Sequence, residues 1–158
     1  RFTNARPKIA PYPFTTKIPN LGVLSVDSSP DDSRDIVIAD IPGLIEGASS
    51  GAGLGIQFLR HITRTAALAF LIDLSDDRWA DAFEVLLGEL EAFSEELARK
   101  PRIILGTKTD AAESGGRLSE LAAKYPGEKV RGVSVFSGDG LDGLAGEFLA
   151  LAEKAAAK

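Results

Sequence analysis

Residues 68–106 read LAFLIDLSDDRWADAFEVLLGELEAFSEELARKPRIILG, and their pattern decides the fold. Leu68 to Asp73 is a short apolar run that predicts a buried strand. Trp79 to Arg99 follows as an amphipathic helix, with Trp79, Phe83, Leu86, Leu87, Leu90, Phe93 and Leu97 on one face. Pro101 stops that helix. Ile103 to Gly106 predicts a second buried strand. Toward the C-terminus, Arg117 to Tyr125 predicts a helix closed by Pro126-Gly127, and Val130 to Val135 a strand. Leu141, Leu144, Phe148 and Leu151 mark a final helix. Strands that alternate with helices predict an α/β fold, a parallel sheet with helices on both faces. Ligands then bind beyond the carboxyl ends of the strands.

Toward the N-terminus the pattern changes. Asp35 to Ile41 predicts a strand, with Ile36, Val37, Ile38 and Ala39 at its apolar centre. Leu21 to Val26 predicts another. The polar turn Asp27 to Arg34 joins them, so they suit a hairpin. Residues 42–55 hold five glycines and read as a mobile loop. A helix follows from about Leu54 to Arg64. Residues 1–19 are irregular, because Pro7, Pro11, Pro13 and Pro19 each forbid a continuing helix or central strand.

Composition narrows the function classes. The chain has 158 residues, of which 44% are hydrophobic and 26% charged, enough for one domain with a sizeable core. It has no cysteine, which excludes disulfides, thiolate metal sites and Cys nucleophiles. It has one histidine, His61, which excludes His-rich zinc sites. His61 lies beside Phe58, Leu59 and Ile62 and reads as a structural or helix-surface residue. The longest apolar run, Ala66 to Ile72, is far short of the roughly 20 residues that span a bilayer. The first residues carry no apolar leader. Net charge is −5, against a broadly basic nucleic-acid surface.

Four groups stand at strand ends or in loops. Asp40-Ile41-Pro42-Gly43 closes an apolar strand. There an Asp can reach Mg²⁺ through a water, and Gly lets its N–H approach a terminal phosphate. The same residues read equally as a strand-end turn. Thr107-Lys108-Thr109-Asp110 follows a buried strand. A carboxylate there can accept N1–H and N2–H of guanine, a donor pair that adenine lacks. The Lys108 stem can lie across the base. Taken alone, an exposed turn with a helix cap is the better reading. Ser134-Val135-Phe136 offers backbone N–H groups to a purine O6, or makes a simple strand-to-helix turn. Pro13-Phe14-Thr15-Thr16 offers a threonine hydroxyl to Mg²⁺, or is a surface loop.

These groups come in the order of the second to fifth signatures of a GTPase. The sequence resembles the Obg family of P-loop GTPases. The resemblance lies in Asp40 to Ile62, in Lys8-Ile9-Ala10-Pro11-Tyr12-Pro13-Phe14-Thr15-Thr16, and in Pro19-Asn20-Leu21-Gly22. It is specific over residues 4–75 and looser but ordered beyond them.

The resemblance implies a three-layer, P-loop GTPase-like, mostly parallel sheet, with residues 1–158 as one partial Obg-type G domain. Residues 1–19 would be the switch I region and 41–55 the switch II region. GTP would contact Phe14, Thr15, Thr16, Lys17 and Ile18; Asp40, Ile41, Pro42 and Gly43; Thr107, Lys108, Thr109 and Asp110; and Ser134, Val135 and Phe136. Mg²⁺ would sit on Thr16 and, through water, on Asp40. The family implies slow hydrolysis of GTP, a part in large ribosomal subunit assembly, GTP/GDP and the ribosome or pre-ribosomal subunit as partners, a cytoplasmic location and a monomer without a membrane span.

Three positions depart from the usual pattern. Thr107 stands where x-K-x-D usually begins with Asn, which removes an amide contact. Leu44 follows D-x-P-G, where many GTPases place a water-orienting Gln, as is normal for the resembled family. It cannot polarise water, so no catalytic base is assigned. No G-x-x-x-x-G-K-[ST] occurs in the 158 residues, so most phosphate-binding N–H donors have no counterpart. In this fold the strand before that loop is central, between the strands at 35–41 and 68–73. Without it and the first helix we expect a gap of roughly 10 Å between strands. We expect the chain to be part of a longer protein and to bind GTP poorly by itself. The alternative is a nucleotide-independent interaction module on a degenerate or truncated GTPase scaffold.

Overall fold

The computed structural model describes residues 20–29, 32–40, 63 and 65–156. The helix expected over 54–64, with His61, lies outside them apart from Thr63, as do the switch regions at 1–19 and 41–55.

The parallel sheet forms as its apolar runs require. It holds β3 (Leu68–Asp73), β4 (Arg102–Thr107) and β5 (Val130–Val133), in that order with β4 in the middle. Leu68 pairs with Arg102, and Ile104 with Val130. A central parallel strand is covered on both faces, so it carries consecutive apolar residues rather than alternating ones. Ile103, Ile104 and Leu105 are accordingly all buried.

Each face has its own core. On one, Phe70, Ile72 and Ile104 meet Phe83 and Leu90 of α1 (Trp79–Phe93), Leu97 of α2 (Glu95–Ala98) and Leu121 of α3 (Arg117–Lys124). The Phe83 ring stands edge-on between Phe70 and Tyr125, with centroids 5.0 and 4.9 Å away. On the other, Ile103, Leu105 and Val133 meet Leu144 of α4 (Leu144–Ala156), with Phe148 and Leu151 packed beside it. The expected three layers are present.

Two boundaries differ from the sequence reading. The helix expected over Trp79 to Arg99 breaks at Ser94, which is extended at φ −162° and ψ 117°. Its carbonyl accepts N–H bonds from Leu97 and Ala98, so a new helix starts there with Glu95 and Glu96 in its favourable first turn. The strand expected to reach Val135 ends at Val133. The Ser134 N–H turns instead to the Asp139 carbonyl at 2.9 Å.

β1 (Asn20–Ser29) and β2 (Asp32–Asp40) form the expected antiparallel hairpin, with Val23 opposite Val37 and Leu24 opposite Ile36. The strands reach further into the polar turn than their composition suggests, with an irregularity between Asp27 and Ser29. β1 packs against α4, and Arg34 of β2 pairs with Glu153 of α4. Among the described residues no ladder joins β2 to β3. No described helix is long and apolar enough to cross a membrane.

Candidate functional site

Parallel strands all end at one rim. β3 ends at Asp73, β4 at Thr107 and β5 at Val133, so the segments that follow them are neighbours. The Thr107 hydroxyl donates to the Ile72 carbonyl (3.2 Å), and Leu74 N–H donates to the Thr107 carbonyl (3.1 Å). That hydroxyl is thus committed to the neighbouring strand.

Lys108 turns the chain sharply. Its φ of 59° lies in the left-handed region, which is costly for a residue with a Cβ. Neighbours hold it there. Its carbonyl accepts from Ala111 N–H (3.0 Å) and from the hydroxyl of buried Ser114 (2.9 Å). Its ammonium pairs with Asp73 Oδ2 at 2.6 Å. The other oxygen, Asp73 Oδ1, accepts from the N–H and hydroxyl of Ser75 at 2.9 and 2.7 Å. Burial pushes the Asp73 carboxyl up, but the bonds from Lys108 and Ser75 together outweigh it and hold the group below its ordinary value. The hydrogen bond to Asp73 likewise pushes the Lys108 ammonium up.

Thr109 N–H reaches the Val133 carbonyl at 3.4 Å. A Cβ on Gly132 would lie 2.9 Å from the Thr109 methyl and 2.4 Å from Leu118 Cδ2, so glycine there lets this loop and α3 approach β5 without displacing those side chains. Asp110 is exposed, but Oδ1 accepts a hydrogen bond from the fully buried Ser134 hydroxyl. That Ser134 oxygen in turn accepts from Ser137 N–H at 3.0 Å. Asp110 Oδ2 has no hydrogen-bond partner among the described residues. One oxygen is anchored and the other is free, which suits a planar ligand with two adjacent N–H donors. Val135 and Phe136, which follow Ser134, are 63% and 87% exposed.

Asp40 ends β2 opposite Asn20, exposed, and its side chain makes no hydrogen bond or ion pair among the described residues. No three His, Cys, Asp or Glu side chains gather around a metal-sized space among those residues.

The family pattern described as "50S ribosome-binding GTPase" matches residues 1–108. GTPase Obg of Treponema denticola is 56% identical over 153 residues, 97% of this chain and 39% of that protein. The chain belongs to the Obg family of GTPases. GTPase Obg of Aquifex aeolicus is 50% identical over 149 residues, 91% of this chain and 42% of that protein. The Obg-type chain therefore spans about two-fifths of the length of these curated relatives. Its fold is that of GTPase G domains. The G domain of the T. maritima FeoB iron transporter superposes with a TM-score of 0.64 at 20% identity, covering 96% of this chain and 86% of that one. The cytosolic domain of that transporter in apo form gives 0.68 at 22% identity, covering 96% and 56%.

In this Obg-type fold, Thr107, Lys108, Thr109 and Asp110 share one rim with Ser134, Val135 and Phe136. Asp40 ends a strand of the other sheet. Phe14, Thr15, Thr16, Lys17, Ile18, Ile41, Pro42 and Gly43 lie outside the described residues. The sequence reading gave Ser134 only a backbone role, whereas its hydroxyl fixes Asp110. It missed Asp73 altogether. The available signal was a carboxylate at the end of an apolar strand with Ser two residues on, a pairing that makes an Asx-turn.

Proposed function

We propose that the protein of which this sequence is the G-domain portion binds GTP with Mg²⁺ and hydrolyses it slowly to GDP and phosphate. Nucleotide state sets the segments at 1–19 and 41–55, and these govern docking on a large ribosomal subunit precursor in the cytoplasm. We read the protein as a monomer. The observation that carries this reading is Asp110, a carboxylate anchored through one oxygen by a buried serine and open at the other. N1–H and N2–H of guanine are the donor pair it fits.

Thr107 to Asp110 and Ser134 to Phe136 hold the base in this reading. Phe14 to Ile18 and Asp40 to Gly43 meet the phosphates. Asp40 fits a Mg²⁺ site in donor chemistry, being an exposed carboxylate with no competing partner among the described residues. Thr16 and a water on Asp40 would hold the ion, which neutralises charge on the terminal phosphate oxygens when bound. Water attacks the terminal phosphorus, the bond to the bridging oxygen breaks, and a proton leaves to solvent. The chain contributes position and charge rather than a base, since Leu44 cannot orient water.

The test is competition of GTP against ATP for the full-length gene product loaded with a fluorescent guanine nucleotide. GTP should displace the probe at least about 100-fold better, the scale of lost charge-assisted bonds. Asp110→Ala should remove most of that preference. Equal displacement by the two nucleotides overturns the guanine reading. Failure to bind either one favours the reading as a nucleotide-independent interaction module.

A further inference from the structure

Asp73 has no part in the nucleotide site as read so far, yet its two oxygens have separate and specific duties. Oδ1 closes the turn with Ser75, and Oδ2 takes the Lys108 ammonium at 2.6 Å. Lys108 is the one described residue other than glycine with positive φ, and Asp110 lies two residues on. The pair is not needed for the core. Its side chains are 39% and 58% exposed, and exposed ion pairs contribute little to folding. What the pair does fix is the direction of the Lys108 stem, and with it the turn that presents Asp110.

We propose that Asp73 is a positioning residue for the base of a guanine nucleotide, acting through Lys108. It holds the ammonium down on the β3 end, so that the methylene stem lies across the rim as a platform for the purine. It also holds the 108–110 turn so that both Asp110 acceptors meet the guanine edge. This rests on the reading of the rim as a guanine site and adds a residue to it. Asp73 sits on a different strand from the residues it serves, which ties base recognition to the end of β3.

The experiment measures GDP and inosine diphosphate affinity of the full-length gene product. Inosine lacks the 2-amino group, so the ratio of the two affinities reports the Asp110 contact. Asp73→Ala should weaken GDP by about tenfold and shrink the GDP-over-inosine ratio, with little change in melting temperature. Asp73→Asn should behave alike, because its amide keeps the Ser75 turn but presents a donor to the ammonium. Lys108→Ala alone should match the Asp73→Ala/Lys108→Ala double variant within about twofold, since the two act as one unit. Wild-type binding restored by Asp73→Asn would reduce Asp73 to a turn former and overturn the proposal. So would additive losses in the double variant, or an unchanged affinity ratio in Asp73→Ala. A wild-type protein that binds no guanine nucleotide overturns the site reading itself, and this proposal with it.

Discussion

Asp110 and Asp40 both stand where an apolar strand ends, but their surroundings differ. Asp110 follows β4, the strand buried on both faces. Its turn is tied to Ile72, Asp73, Ser114, Val133 and Ser134. Asp40 ends a two-stranded hairpin whose Val23 and Val37 are 45% and 65% exposed, and no described residue bonds to the Asp40 side chain. Two-stranded ladders are marginal alone and need packing to hold them. The difference teaches that, in the reading proposed above, the base end of the site is organised by the folded core, while the Mg²⁺ end draws on a carboxylate of the exposed hairpin. In that reading the division suits a switch, with a base end that stays constant and a phosphate end that answers to the nucleotide.

The most damaging way to break this contrast is at Gly140. Its φ is +70°, and a Cβ there would lie 2.0 Å from the Gly132 carbonyl oxygen, backbone that cannot swing aside. Gly140→Ala should cost about 3 kcal/mol or more, from left-handed strain and overpacking together. A urea titration of the chain measures it, and a loss under about 1 kcal/mol would mean that the loop after β5 is not held against the sheet.

The next comparison sets the two sheets side by side. Ile104→Ala removes a side chain buried on the central strand, at about 2–5 kcal/mol. Val37→Ala trims an exposed side chain of the hairpin and should change stability by no more than about 0.5 kcal/mol. Equal costs would show that the hairpin face is covered in solution, and would erase the distinction drawn above.

Ser134→Ala acts on the site with less damage to the fold. It removes the donor to Asp110 and the acceptor of Ser137 N–H. Guanine nucleotide affinity of the full-length protein should fall about threefold to tenfold, the worth of one net hydrogen bond. Titration with a fluorescent GDP analogue checks this. No change would mean that Asp110 needs no anchoring.

How much of this was legible in the sequence follows from which interactions set each feature. β4 was visible because burial on both faces demands an unbroken apolar run, and β3 because Leu68 to Ile72 is apolar throughout, although Leu71 stands exposed. The break at Ser94 was not, because Leu97 keeps helical spacing from Leu90 and Phe93 on either side of it. Val135 extends the apolar pattern of β5 but stands exposed, since Ser134 bonds to Asp139 and leaves the ladder. At the rim, Asp110 and Ser134 were identifiable one by one, but the bond between them joins residues 24 apart in sequence. Lys108 gave no sign of its left-handed turn, because lysine has no preference for one. Ser114 and Asp73 enforce it from elsewhere in the chain.

The smallest effect separates Asp73 from Asp40 by pH. The native Asp73 carboxyl is held below its ordinary value of 3.8, so the unfolded chain takes up the proton first as pH falls. The stability this group contributes is therefore complete above about pH 3.8 and is lost as pH drops through the lower native value. With the side chain 39% exposed, solvent screening leaves about 0.5 kcal/mol or less. Asp73→Asn should run slightly below the wild type near neutrality, and the two stability curves should converge in acid. Asp40→Asn, which breaks no bond among the described residues, controls for the amide itself. Curves for Asp73→Asn and wild type that stay parallel down to pH 2 would mean that the Lys108 and Ser75 bonds do not hold the carboxylate in solution, and the two strand-end aspartates would then be alike.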